Sequence, residues 1–406
     1  MRAFIVYTMP LPHGGGDSSI KEHTAMIYLD NSATTRTLDS AAEAAARCMR
    51  EDFYNPSSAY APAARAEKRV NEARARLAAT LGCRAEEIVY TSGGTESNNM
   101  AVTGVLRAAH GRGRIITSQS EHPSVYELFR LLEQQYGYRT VYLGTDEAGA
   151  ASLDELAASL TPDTVLVSLM HVNNETGAVT DIAAAQSLIH SRAPQAAFHV
   201  DGVQAYGKLP FGRVPCDLYS VSGHKIHAPK GVGALYVRAS LRFAGGQVGG
   251  GQEQNRRSGT TNTPGIMGLD AAVCAYAAHQ EAWIASMRAC KLRLAQNLLS
   301  LPDVFVNGPA PEAGAPHILN VSFPGVRGEV LLHALEQREI YVSTGSACSA
   351  HRKGKNRVLA AAGVLGARQE GALRFSLCPF NTLEEMDRAA EEIGKQVAFL
   401  RRYQRR

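Results

Sequence analysis

The sequence predicts an α/β protein with a large domain built on a mostly parallel seven-stranded sheet and a smaller α/β domain following it. Three observations carry this. The length of 406 residues suits two or three domains. Between Glu87 and Val237, short β-rich runs alternate with amphipathic or glycine-capped segments, the pattern of a sheet covered on both faces. After Gly265 the texture changes to a long alanine-rich helical stretch and then a second set of strands and helices.

The elements follow in order. Met1 to Ala25 holds one short apolar stretch (Ala3 to Met9), two prolines and the run Gly14-Gly15-Gly16, and is expected to be a flexible leader preceding a natural start at Met26. A processed targeting peptide is the alternative reading of the same residues. Strands are predicted at 87–91, 114–117, 139–143, 164–170, 197–201, 218–222 and 234–237. A helix between Thr117 and Arg139 is marked by Val125, Leu128, Phe129, Leu132 and Tyr136 at three-to-four spacing. The second part is read as a helix over 269–299, strands at 317–323, 339–343 and 372–377, and a helix over 329–337. Thr382 and Glu385 have capping-box spacing for the last helix. The expected boundaries are 41–268 for the large domain, with 26–40 and 269–406 forming the small one and the cleft between them as the default active site.

Composition excludes several classes. Apolar residues make up 45% of the chain, enough to bury a core. A net charge of +4 gives no basic face that would argue for direct nucleic-acid binding. No apolar run reaches the ~18 residues of a spanning helix. Seven scattered cysteines without a Cys-x-x-Cys pair indicate neither a disulfide framework nor a zinc cage, so a reduced, cytoplasmic enzyme is expected.

Three constellations carry chemistry. The first runs from Thr91 to Asn99 and contains Gly93-Gly94-Thr95 between a strand and a helix. Two glycines let the backbone fold tightly, the amides of a helix start attract an anion, and Thr95 adds a hydroxyl. It lacks the lysine of a Walker loop and the three-glycine dinucleotide spacing, and a plain capped turn would read the same way. The second is Ser222-Gly223-His224-Lys225 after a strand. A partly desolvated lysine there can act as an amine nucleophile, although a lysine taken alone is more often a surface residue. Asp201 lies 24 residues earlier at the end of another strand, where a carboxylate can keep a pyridinium nitrogen protonated. Anion cradle, Schiff-base lysine and aspartate together specify pyridoxal phosphate (PLP). His122 at a helix start can lie flat on the cofactor ring or simply cap the helix, and Gln204 can donate to the cofactor's phenolate oxygen. His199 and Asp201 share one strand face but have no third ligand at useful spacing, so no metal is expected.

The third constellation is Ser343 to Ala350, followed by the basic run His351 to Arg357. Cys348 lies among small residues with four Lys/Arg side chains in the next nine positions. Positive charge lowers a thiol's pKa and favours the reactive thiolate, which makes Cys348 a candidate nucleophile. The other six cysteines sit in apolar or helical contexts suited to small core residues.

Together these motifs resemble the cysteine desulfurases, PLP enzymes of the class V aminotransferase group, and the Cys348 segment resembles the IscS/NifS-like branch. The resemblance runs over nearly the whole chain from Tyr28 and includes Tyr28 to Thr35, Asn55 to Ser58, His171 to Glu175, Gly249 to Glu253 and Arg257 to Thr260. One departure is Tyr60, where many members carry histidine. The resemblance implies PLP fold type I, with Lys225 holding PLP, Asp201 on the ring nitrogen, His122 stacked on the ring, and Asn174 and Gln204 near the ring oxygen. It implies a phosphate site formed by Gly94, Thr95, Ser222 and His224, with Thr260 contributed by the other subunit of a homodimer. Arg374 would clamp the substrate carboxylate, a charge-assisted pair worth on the order of 2 kcal/mol. Lys225 would remove the α-proton of L-cysteine, and Cys348 would take the sulfur as a persulfide, releasing L-alanine. The sulfur would pass to an acceptor protein, either an iron–sulfur scaffold or a tRNA-modifying sulfurtransferase. An aminotransferase, a selenocysteine lyase, a nucleotide-binding protein without PLP and an inactive scaffold are the competing readings.

Overall fold

The computed structural model describes residues 26–109, 113–345 and 356–403. The leader (1–25), Cys348 and most of the basic run after it lie outside the described residues. The chain enters on β1 (Ile27–Tyr28), then forms α1 (Asp39–Arg50) and α2 (Ala61–Thr80). The alternating part follows as β2 (Ile88–Thr91), α3 (Gly94–Ala108), β3 (Arg114–Ser118), α4 (Pro123–Tyr136) and β4 (Arg139–Leu143). It continues through α5 (Leu153–Ser159), β5 (Thr164–Met170), α6 (Ile182–Arg192), β6 (Ala197–Asp201), β7 (Leu218–Ser222) and β8 (Gly233–Val237). Next come α7 (Thr263–Leu299), β9 (Phe305–Val306), β10 (Ile318–Ser322), α8 (Gly328–Glu336) and β11 (Ile340–Tyr341). The described chain closes with α9 (Arg357–Ala361), α10 (Gly366–Glu370), β12 (Ala372–Ser376) and α11 (Leu383–Tyr403).

Seven strands form the central sheet in the order β2-β8-β7-β6-β5-β3-β4. Only β8 runs against its neighbours; the other adjacent pairs are parallel. The physical reason lies in the connection. Residues 223–232 between β7 and β8 leave no room for the crossover helix a parallel pair requires, so the chain doubles back. Because β2 is antiparallel to β8, and β8 to β7, β2 points the same way as the other five strands. The segments leaving β2, β3, β5, β6 and β7 therefore gather at one edge, the place where open α/β sheets bind ligands.

Side-chain alternation fills both faces. On β7, Leu218 joins α3 and α4 residues such as Val105 and Phe129, whereas Tyr219 and Val221 face the core shared with α2 and α7. A separate core gathers Ile27, Leu29, Leu294, Leu319, Phe323, Leu373, Phe375 and Ile393 around β10 and β12. Helix α7 serves both: Ile266, Leu269 and Tyr276 pack under the large sheet, and Cys290, Leu294 and Leu298 into the second core. At 37 residues it is long enough, about 55 Å, to span the two.

Some boundaries differ from the sequence expectation. Helix α7 begins at Thr263 instead of 269, because Asn262 caps the Gly265 amide and Pro264 sits in the first turn, where a proline costs no hydrogen bond. The strand expected at 339–343 shrinks to Ile340–Tyr341, since Glu339 has φ +56°, incompatible with a strand. Strands β1 and β9, two residues each, were too short to leave a periodic signal. The Thr382–Glu385 capping box forms in both directions, with hydrogen bonds of 3.1 and 3.2 Å. Among the described residues no helix is long and apolar enough to cross a membrane.

Candidate active site

A cavity of about 250 Å³ opens at the C-terminal edge of the sheet. Its lining includes Gly94, Thr95, His122, Asn174, Asp201, Gln204, Ser222, His224, Lys225 and Arg374. Residues up to 280 positions apart thus converge because each lies at or just beyond the end of a strand or on β12 facing that edge.

At the floor, Asp201 ends β6 and is 3% exposed. Its Oδ2 accepts from Asn98 Nδ2 at 2.7 Å and its Oδ1 from the Val203 amide at 3.0 Å. These donors pair both oxygens of a buried carboxylate and fix its orientation. The neighbouring Glu121 carboxyl is fully buried and pushed up to about 8 by desolvation and by the Asp201 charge, so a proton there relieves the like-charge contact.

Lys225 closes a 3₁₀ turn (Gly223–Lys225) after β7. Its Nζ donates to the carbonyls of Ser32 and Ala33 at 2.6 and 2.7 Å. The segment 31–36 is laid over this turn by further bonds: Thr35 N and Oγ1 both donate to the His224 carbonyl, at 3.1 and 3.0 Å. His122 is the N-cap of α4 and accepts from the Ser124 amide through Nδ1 at 3.1 Å, while its ring also lines the cavity. Capping and cavity lining are compatible because the bond uses one edge of the ring and leaves its face available. Burial and the nearby Lys225 charge hold the His122 imidazole below its usual value, against the pull of Asp201.

Another end of the cavity is formed by the start of α3. Gly93, at φ +149°, precedes it and no side chain caps the helix start, so the first-turn amides remain directed at the cavity beside Thr95, Ser222 and His224. Gly94 is needed for space: a Cβ there would stand 2.7 Å from Val203 Cγ2 and 3.5 Å from Ser222 Cβ. Gly94→Ala is expected to push the Val203 turn, which carries Asp201, and to weaken retention of a phosphorylated ligand roughly tenfold. Ligand dissociation measured by equilibrium dialysis checks this, and unchanged retention would show that the turn does not set the anion site.

Arg374 lies on β12 and is 1% exposed. Its Nη2 pairs with Asp30 at 2.6 Å and its Nη1 donates to the Asn174 carbonyl at 3.0 Å. Its Nε has no hydrogen-bond partner, as is also true of Asn174 Oδ1, Gln204 Oε1 and Ser32 Oγ around the same cavity. Buried polar atoms are rarely left so. An aspartate, an amine, an uncapped helix start and several unpaired polar atoms around one space fit a phosphorylated pyridine cofactor with a bound amino acid.

The structure also shows what the sequence reading missed. Gln204 Nε2 donates to the Ser32 carbonyl at 3.0 Å, which engages one of its two amide hydrogens. Asn98 and Asp30 support Asp201 and Arg374; they stand in the stretches 91–99 and 28–35, but nothing in their spacing marks them. Thr260 is exposed and lines a separate pocket with Ser92 and Arg257, apart from the ten residues named above. His199, whose ring bonds Ser168 and Ser220 at 2.8 and 3.0 Å, is a buried strand residue. Among the described residues no cluster of ligating side chains suits a metal ion.

Cys348 is outside the described residues, but those flanking its segment are anchored at the cavity wall. Ser343 and Arg374 exchange backbone hydrogen bonds of 3.2 and 2.6 Å. On the far side, Asn356 Nδ2 donates to Glu175 Oε2 and Arg357 Nη2 to the Glu121 carbonyl, both at 2.6 Å.

Comparison with known proteins agrees with this geometry. The aminotransferase class-V family model matches residues 27–389. A cysteine desulfurase from Nostoc sp. is 42% identical over 380 residues, covering 93% of this chain and 94% of its own. Cysteine desulfurase IscS from Photorhabdus laumondii is 41% identical over 383 residues, 92% of this chain and 93% of its own. A solved NifS-like protein superposes with a TM-score of 0.86 at 34% identity, covering 92% of this chain and all of that one. A shared fold and this span of identity have one common explanation: the chain belongs to the aminotransferase class-V family.

Proposed function

We propose that this chain is a PLP-dependent cysteine desulfurase that converts L-cysteine to L-alanine and hands the sulfur to an acceptor protein. The observation carrying this is the convergence of Lys225, Asp201 and Arg374 on one cavity, with Ser343, Asn356 and Arg357, the described residues on either side of Cys348 in sequence, hydrogen-bonded to Arg374, Glu175 and Glu121. The names of the relatives support the same reading.

Lys225 would hold PLP through its amine, Asp201 would face the pyridine nitrogen, and His122 would cover one face of the ring. Gly94, Thr95, Ser222 and His224 would surround the phosphate, and Asn174 and Gln204 would face the ring oxygen. Bound PLP supplies an electron sink for negative charge at the substrate α-carbon. Arg374 binds the substrate carboxylate with its guanidinium and so orients the Cα–H bond. Lys225 Nζ takes the α-proton and later returns a proton to carbon. The Cys348 thiolate attacks the substrate sulfur: the new S–S bond forms as the Cβ–S bond breaks, and the electron pair stays with the carbon skeleton, which is protonated to alanine. Reaction with an acceptor thiol then removes the sulfur from Cys348.

Thr260, set apart from the cavity in one chain, fits contribution to the phosphate site of a second copy, and a homodimer is part of the proposal. So is a cytoplasmic enzyme in which 41–268 carries the cofactor and 26–40 with 269–406 forms the smaller domain. Borohydride reduction of the purified protein, followed by peptide mapping, tests the reading: the label should sit on Lys225. A label on another lysine, or protein that takes up no PLP, would overturn it. Labelled cysteine in a cell extract should in turn pass its sulfur to an iron–sulfur scaffold or a tRNA sulfurtransferase.

A further inference from the structure

A second lysine lies directly behind the first. Lys208 is 2% exposed, and its Nζ donates to the Lys225 main-chain carbonyl at 2.6 Å. It has no carboxylate partner within ion-pair distance among the described residues. The backbone that carries it is the tight turn leaving Asp201: Ala205 N bonds Gly202 O at 3.0 Å and Lys208 N bonds Ala205 O at 2.9 Å. One side chain thus ties the turn bearing the aspartate to the turn bearing the reactive amine. These two groups must grip opposite ends of the same ring, so their separation has to be fixed.

An ammonium is an expensive way to hold one carbonyl. Burial without a counter-ion disfavours the charge, and a neutral donor would make the same bond at lower cost. The surroundings compound this. The groups facing Lys208 are Lys225 and His224 from the 3₁₀ turn, His227 just after it, His317 before β10 and Cys378 after β12. None is an acid ionised at neutral pH: the three imidazoles are held below their usual range and the thiol above its own, in each case chiefly by burial. Desolvation, and then the charge of Lys225, push Lys208 down to about 7. Repulsion between neighbouring ammonium groups acts on both partners.

Resting on the PLP reading above, we propose that Lys208 is a positioning residue for Lys225, tying the Lys225 turn to the Asp201 turn and biasing the neighbouring amine nitrogen toward its uncharged, nucleophilic form by like-charge repulsion. A cation beside a Schiff-base lysine is a known way to activate an amine. Here it acts from behind the turn, without touching substrate or cofactor.

The test uses the holoenzyme and the visible absorbance of bound PLP, whose pH midpoint reports protonation at the Lys225 nitrogen. Lys208→Met removes the charge at nearly equal volume and is expected to raise that midpoint by about one pH unit. A purely structural role would lower thermal stability and leave the midpoint in place. If Lys208→Met does not accumulate folded, Lys208→Gln carries the same expectation. A folded, PLP-bound variant with an unmoved or lowered midpoint overturns the inference while the functional reading stands. Wild-type protein that takes up no PLP overturns both.

Discussion

Lys225→Ala should fold, and should lose alanine formation by at least about a thousandfold, because one side chain is asked to do two jobs. On the proposed reading it is the attachment point for the cofactor, and among the described lining residues it is the only lysine that could carry a proton at the α-carbon. Removing it leaves the Ser32 and Ala33 carbonyls without its two hydrogen bonds, but they border an open cavity where water can take its place. The loss should therefore appear in turnover, with a melting temperature close to wild type. Alanine production from L-cysteine, measured alongside thermal unfolding, separates the two. A variant keeping a tenth of wild-type turnover would remove Lys225 from the reaction.

Cys348→Ser should keep the yellow colour of bound PLP and lose sulfur release by at least about a hundredfold. A serine hydroxyl is not ionised near neutral pH and is a poor partner for sulfur, whereas a thiolate attacks sulfur readily. Asn356 and Arg357 tie the return of this segment to Glu175 and Glu121, and Ser343 ties its departure to Arg374, so both ends stand at the cavity. After exposure to L-cysteine, the wild-type Cys348 peptide should gain the mass of one sulfur atom, and the Ser variant's peptide should not. Full-rate desulfuration by the variant would sink the persulfide role and leave an aminotransferase or lyase reading in its place.

Neither result depends on where the strands begin and end. Strands β4 to β7 coincide with the expectation from sequence to the residue, because each is a compact β-branched or aromatic run bounded by helix caps or turns. The strand expected at 339–343 did not survive, since one left-handed residue at Glu339 and pairing with only two residues of β1 shortened it. Gln204 was legible as a polar residue near Asp201, yet its amide turns toward Ser32, an element 172 positions away. Long-range hydrogen bonds of this kind leave no trace in local spacing.

What the amino-acid order determined by itself was chemistry: a glycine turn, an aspartate, a histidine and a lysine at strand ends, and a cysteine among basic residues. Strand periodicity and turn residues are local properties, so they place such groups at strand ends without reference to anything distant. Only the tertiary structure decided which of them meet. The reversal of β8 keeps β2 aligned with β7 and brings the α3 start to Lys225; segment 31–36 folds across that turn; Asp30 reaches Arg374. It also set Lys208 behind Lys225, a contact made by burial and not by pattern, since desolvation and distance are properties of the packed interior.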